Sequence, residues 1–183
     1  MSGAVIRFVA IATILLSVSV PVSAGHKALE ADAFEVNHEL VLPGTPEEVF
    51  DAVTGDISGW WDHTISENAV RLFIEPRAGG GFWEIFDDDG NGVRHAEVTL
   101  AWRGKLLRFE GPLGLTGNAI HMVHTYEFSQ VAESDAPMTR LVLTVRASGQ
   151  MEEGWAKVVD DVWAHFLFEQ LKPWVEGGGH RGG

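Results

Sequence analysis

The chain has 183 residues, no cysteine, 45% hydrophobic residues and a formal charge of −13 at pH 7. That length suits one domain with a single core, and the missing cysteines exclude disulfides and thiolate ligands, so stability has to come from packing. Acidity on this scale repels phosphate backbones and anionic lipid headgroups, which argues against nucleic acid or a membrane surface as partner and leaves small apolar ligands open.

The N-terminus carries one basic residue, Arg7, then the apolar run Phe8 to Val20, then Pro21-Val22-Ser23-Ala24. The run is short for a bilayer span and ends in small residues, the pattern of a secretory signal peptide. Residues 1–24 are therefore expected to be removed after Ala24, which would place the protein in the periplasm or outside the cell with no stable membrane insertion. Residues 25–33 read as a linker. The folded domain is expected over 34–175, and 176–183, rich in glycine, as a disordered tail.

Residues 34–42 alternate as a strand with Phe34, Val36, His38, Leu40 and Leu42 on one face. Thr45-Pro46-Glu47-Glu48 then starts a helix, with Thr45 as N-cap, proline at the first helical position and glutamate three residues after the cap. Gly55 to Asp62, with the pair Trp60-Trp61, reads as a second short helical turn. Strand-like runs follow at 69–75, 81–87, 93–103, 105–110, 119–130 and 138–147, separated by Gly, Pro or Asp-rich breaks. The hexapeptide Asp87-Asp88-Asp89-Gly90-Asn91-Gly92 places acidic and amide groups as an EF-hand loop does, but position 12 is Val98 rather than a bidentate carboxylate. Aromatic and β-branched flanks make it the tip of a β-hairpin instead.

The last element is a helix from about Glu153 to Trp174. Trp155, Val158, Val159, Val162, Trp163, Phe166, Gln170 and Leu171 recur at spacings of three and four. An antiparallel sheet preceding one long apolar-faced helix predicts an α+β fold in which the curved sheet wraps around the helix. Such a grip leaves room for a cavity between the two.

Val41 to Val53, the Trp60-Trp61 pair, Glu75-Pro-Arg-Ala-Gly-Gly-Gly-Phe-Trp-Glu84, Leu106-Leu-Arg-Phe-Glu-Gly-Pro-Leu-Gly114, Thr139 to Val145, Gly154-Trp155 and Glu169-Gln-Leu-Lys172 occur in an order that resembles the START-like, or SRPBCC, superfamily. Within it, the chain is similar to the branch named for homology to the activator of Hsp90 ATPase. The resemblance implies a helix-grip fold whose cavity takes hydrophobic molecules. It carries no catalytic residue across, and the chaperone connection does not suit an exported chain.

Candidate ligand-binding residues are His38, Trp60, Trp83, Trp102, Met122, His124, Tyr126, Trp155, Val159 and Trp163. The strand 119–130 turns Ile120, Met122, His124, Tyr126 and Phe128 to one side, and His38 shares an apolar face on a strand expected two places away. His124 with Tyr126 or His38 can be read as a polar anchor, as an acid–base pair, or as core histidines satisfied by backbone or water. His121 and His124 form H-x-x-H, but on a strand their rings point to opposite faces and cannot share an ion, so no metal and no cofactor are expected. The leading reading is a single-domain binding protein for a small hydrophobic or amphipathic molecule. The alternatives are a cyclase- or hydrolase-like enzyme and a structural module whose tryptophans fill the cavity.

Overall fold

A computed structural model describes residues 30–132 and 135–179. The expected signal peptide, most of the linker and the end of the tail lie outside the described residues. Eight antiparallel strands form one sheet: β1 (Asp32–Pro43), β2 (Gly55–Asp56), β3 (Arg71–Ile74), β4 (Gly81–Ile85), β5 (Gly92–Trp102), β6 (Leu106–Glu110), β7 (Ile120–Gln130) and β8 (Met138–Gly149). Their order across the sheet is β1-β8-β7-β6-β5-β4-β3-β2. A short helix α1 (Pro46–Ala52) follows β1, and the chain ends in α2 (Trp155–Ala164), a π-helical segment (His165–Leu171) and α3 (Lys172–Glu176). The arrangement is the helix-grip α+β fold, with β8 flanked by β1 and β7 as the sequence implied.

Local chemistry explains most of these boundaries. At the start of α1, the Thr45 N–H donates to Glu48 Oε2 at 2.7 Å, and the Glu48 N–H donates to Thr45 Oγ1 at 3.3 Å. This reciprocal cap stabilises the helix by about 1 kcal/mol. Alternation holds along β1, where Val36, Leu40 and Leu42 are buried between exposed Glu35, Asn37, Glu39 and Val41. Along β7 it holds except at Thr125, which is buried between His124 and Tyr126. Asp87 to Gly90 turn the β4–β5 hairpin: the Phe86 N–H donates to the Asn91 carbonyl, Gly90 takes φ +86°, and the Asp87 carboxylate accepts from the Asn91 backbone and side chain at 3.0 and 2.8 Å. That carboxylate is already committed to the turn.

Three features depart from the linear reading. The stretch expected as a second helical turn begins instead as β2, paired Gly55 to Ile74 and Asp56 to Phe73, and then makes one tight turn in which Trp60 and Trp61 both donate backbone N–H groups to the Ile57 carbonyl. Gly59 in this turn lies beneath the Trp174 indole, and a Cβ there would stand 2.6 Å from Nε1. The C-terminal helix does not keep 3.6 residues per turn: it widens at His165–Leu171 ahead of Pro173, which has no N–H to bond the Glu169 carbonyl. The widening buries Leu167 and Leu171 and leaves Gln170, expected in the apolar stripe, only part-buried. Finally, α3 runs to Glu176, one residue beyond the expected domain end, and the Gly177 and Gly178 N–H groups bond Pro173 and Val175 carbonyls.

The core lies between the concave face of the sheet and the two helical regions. Under β7 and β8, Phe50 of α1 meets Phe128 at 5.4 Å between ring centroids, and Tyr126, Leu141 and Leu143 are closed off completely or nearly so. Trp163 of α2 stands at the centre, with Trp61, His124, Tyr126 and Phe166 all within 6.0 Å. At 25 cal/mol per Å², one buried ring of this size contributes several kcal/mol, so Trp163 pins the helix to the sheet.

Candidate functional site

Beyond Trp163 the interior opens. A cavity of about 380 Å³ lies between the N-terminal half of α2, the loop 61–65, the turn 112–115 and strands β5 and β7. Trp61, Met122, Val159, Val162, Trp163 and Phe166 form its apolar walls, and Leu113 and Leu115 cover one side. Ile65 and Val158, more than half exposed, stand at the mouth. Leu113 has φ +52°, in the left-handed region that side chains avoid, so the turn holds its isobutyl group against the cavity at a backbone cost of about 1 kcal/mol. Trp61 and Phe166 stack at 3.9 Å, a rigid pair along the wall.

Of the residues proposed from sequence, Met122, Trp155, Val159 and Trp163 come together here. The other six lie elsewhere. Trp60 is buried against α1, donating its indole N–H to the Ala52 carbonyl, and its neighbour Trp61 takes the wall position. Trp83 belongs to the outer face of β4, because Phe82 and Glu84 occupy the inner one; its indole N–H donates to Glu75 Oε2 at 3.0 Å. The Gly81 N–H donates to the same carboxylate, and with Trp83 and Arg77 it holds the Glu75 pKa at about 2. Trp102 is 60% exposed at the end of β5, with the Lys105 ammonium over its ring.

His38 lies between β1 and the C-terminal helix, edge-on to Phe168, with Nε2 3.1 Å from an Asp160 carboxylate oxygen but outside hydrogen-bond geometry. His124 and Tyr126 are sealed in the packed interior. His124 stacks on Phe109 and donates Nε2–H to the Gly111 carbonyl at 3.1 Å, while Nδ1 is buried without a partner. Burial lowers its pKa to about 4, so the ring is neutral, and burial also drives the Tyr126 phenol far up. His121 is on the opposite, exposed face, as strand alternation requires.

The polar group in the cavity wall is one that periodicity did not single out. His95 is the extra residue of a β-bulge: Phe82 pairs with Ala96 and Trp83 with Arg94, leaving His95 unpaired between them. The bulge turns His95 inward beside Ala96, so two consecutive residues are buried. Its Nε2–H donates to Glu84 Oε2 at 2.9 Å, and its Nδ1 has no partner among the described residues. Glu84 is fully buried and also accepts the N–H groups of Ile65 and Ser66 at 2.9 and 2.7 Å. Burial pushes its pKa up, but the two backbone donors and His95 outweigh it and keep the carboxylate ionised. Glu84 thus does two things at once: it fixes the tautomer of His95 and ties down the loop that borders the mouth.

A second polar group sits at the rim. Asp62 Oδ1 is 2.7 Å from His63 Nδ1, and Asp62 Oδ2 is 2.8 Å from His165 Nε2. His63 also forms part of the cavity wall, its ring edge-on to Phe166.

No protein-family model matches the chain, and no curated protein is similar to it in sequence. Solved structures share its fold. A protein of unknown function from Staphylococcus aureus matches with a TM-score of 0.59 at 16% identity, over 82% of this chain and 98% of that one. A protein from Mesorhizobium loti gives a TM-score of 0.55 at 19% identity over 78% and 97%, and one from Rhodobacter sphaeroides gives 0.56 at 17% over 82% and 98%. At such identities the likeness is one of fold.

Proposed function

We propose that this protein is an exported, single-domain binding protein that holds a small hydrophobic or amphipathic molecule between the curved sheet and the C-terminal helix. One observation carries this reading: the aromatic and aliphatic cavity of about 380 Å³, a volume suited to a small organic ligand, with the buried imidazole of His95, anchored by the Glu84 carboxylate, in its wall. The ligand's apolar body packs against Trp61, Trp163 and Phe166, and an O–H or N–H of the ligand donates to Nδ1 of His95. The open space weighs against a core filled by tryptophans. Export rests on the N-terminal pattern, and the resemblance to the START-like superfamily supports the ligand class. No helix among the described residues is long and apolar enough to cross a membrane.

A second reading, an enzyme of the cyclase or hydrolase kind, gains support from the Glu84–His95 pair, since a carboxylate-oriented imidazole is the arrangement of a general base. One experiment separates the two. An environment-sensitive naphthalene fluorophore is titrated into the protein, into Val162→Trp and into His95→Gln, and the same proteins are screened for turnover of apolar esters and ketones. The binding reading expects saturable 1:1 uptake, weakened at least tenfold by Val162→Trp, and no turnover. Turnover lost in His95→Gln with uptake retained would replace it by the enzyme. Absence of uptake by the unmodified protein would overturn both.

A further inference from the structure

We infer that Asp62, His63 and His165 form a binding site for a divalent transition-metal ion at the mouth of the cavity. The three side chains come from two distant segments, the loop after Trp61 and the first residue of the π-helical segment. One ligand atom from each lies within 4.8 Å of the others. A tetrahedral ion with bonds of ~2.0–2.1 Å spaces its ligands about 3.3 Å apart, so small side-chain rotations bring all three into place. Two imidazoles and one carboxylate suit zinc and its first-row neighbours, whereas calcium and magnesium favour all-oxygen shells. Three protein ligands leave a fourth position open to water or to a bound molecule.

The surroundings are built for this role. Both His165 ring nitrogens face carboxylates, Nδ1 at 2.9 Å from Glu169 Oε2 and Nε2 at 2.8 Å from Asp62 Oδ2, so in the neutral ring with its N–H on Glu169 the Nε2 lone pair faces Asp62. An imine lone pair and a carboxylate oxygen at 2.8 Å repel unless a cation sits between them, either a proton or a metal ion. A carboxylate behind a ligating histidine is the usual partner that fixes its tautomer and raises its basicity. Glu169 reaches Nδ1 from four residues on, an ordinary helical spacing, and the widened helix brings Gln170, five residues on, to the same side, where it donates to Asp62 Oδ2 at 3.1 Å. Phe166 stacks on Trp61 and meets His63 edge-on at 4.9 Å, which steadies the loop carrying two of the ligands. Because His63 belongs to both the cluster and the cavity wall, a bound ion would stand beside the polar end of whatever the cavity holds.

The inference is tested with zinc alone, so its outcome is separate from fluorophore uptake. Calorimetric titration of zinc chloride near neutral pH should show one ion per chain with a dissociation constant of about 10 µM or tighter. Asp62→Asn and His165→Gln should each weaken it at least tenfold. Glu169→Gln, at an exposed position that leaves the three ligands intact, should weaken it by about 10-fold, because the carboxylate that orients His165 through Nδ1 loses its charge. His121→Gln, on the far face of the sheet, should leave it unchanged. No saturable binding up to millimolar zinc would overturn the inference and leave a protonated His165 between two carboxylates. Affinity unmoved by the Asp62, His165 and Glu169 variants would overturn it as well, since the ion would then bind elsewhere.

Discussion

The interior has two parts, and each contains a buried histidine in a different state. In the filled part, under β7 and β8, His124 is enclosed by Phe109 and Trp163 with no carboxylate in reach, and its pKa falls to about 4. In the open part, His95 is almost equally buried but shares a proton with Glu84, which in turn holds the loop at the mouth. Burial alone removes a histidine from the chemistry of the protein. Burial beside a buried carboxylate keeps one ring nitrogen oriented and the other available, and that part of the interior is where the cavity lies.

The strongest way to break this contrast is to remove the Glu84 carboxylate. Glu84→Ala leaves the His95 Nε2–H and the Ile65 and Ser66 N–H groups without their acceptor in a buried site, and should destabilise the fold by about 3–5 kcal/mol in urea unfolding. It should also increase hydrogen exchange in the loop 62–66 more than in β7. A loss below about 1 kcal/mol would mean that water replaces the carboxylate without penalty and that the open part is not organised by Glu84.

The filled part is tested by pH. His124 has a folded pKa of about 4, below its unfolded value of 6.5, so the unfolded chain takes up the proton first. Its contribution is therefore fully present above pH 6.5 and declines as pH falls toward about 4, by about 3 kcal/mol over the whole window. In His124→Phe this component of the acid loss should vanish, even where the overall stability differs. An unchanged slope between pH 6.5 and 4 would show that burial does not depress the His124 pKa.

The smallest effect is expected outside the interior altogether. In the Asp87→Asn, Asp89→Asn double variant, the hairpin tip keeps its turn geometry, and the melting temperature should move by less than about 3 °C. Calcium should change neither form, because the Asp87 carboxylate is bonded to Asn91 and no carboxylate stands at the twelfth position. A micromolar calcium affinity lost in the variant would make the hairpin a site and move the functional region away from the cavity.

Much of this molecule was determined by short-range rules that act within one segment. The reciprocal cap of Thr45 and Glu48, the Asp-Gly hairpin, the inward set Met122, His124 and Tyr126, and the placement of Trp155, Val159 and Trp163 on one helix face each follow from dihedral preferences and side-chain period, which the chain carries locally. The alternation that turned His124 inward carries no sign that its surroundings are packed, because period shows which side faces in and not whether that side is filled. Only the tertiary structure decided that Phe50 and Phe128 close the space around Tyr126 while Leu113 and Leu115 leave it open near Met122. It also decided where His95, His63 and His165 stand. Their positions depend on a bulge set by how β4 pairs with β5, on the turn at Ile57 that puts Trp61 rather than Trp60 at the wall, and on a widening of the helix against the sheet. Each of these is an irregularity created by packing one segment against another, and a pattern read along one segment contains no record of its partner.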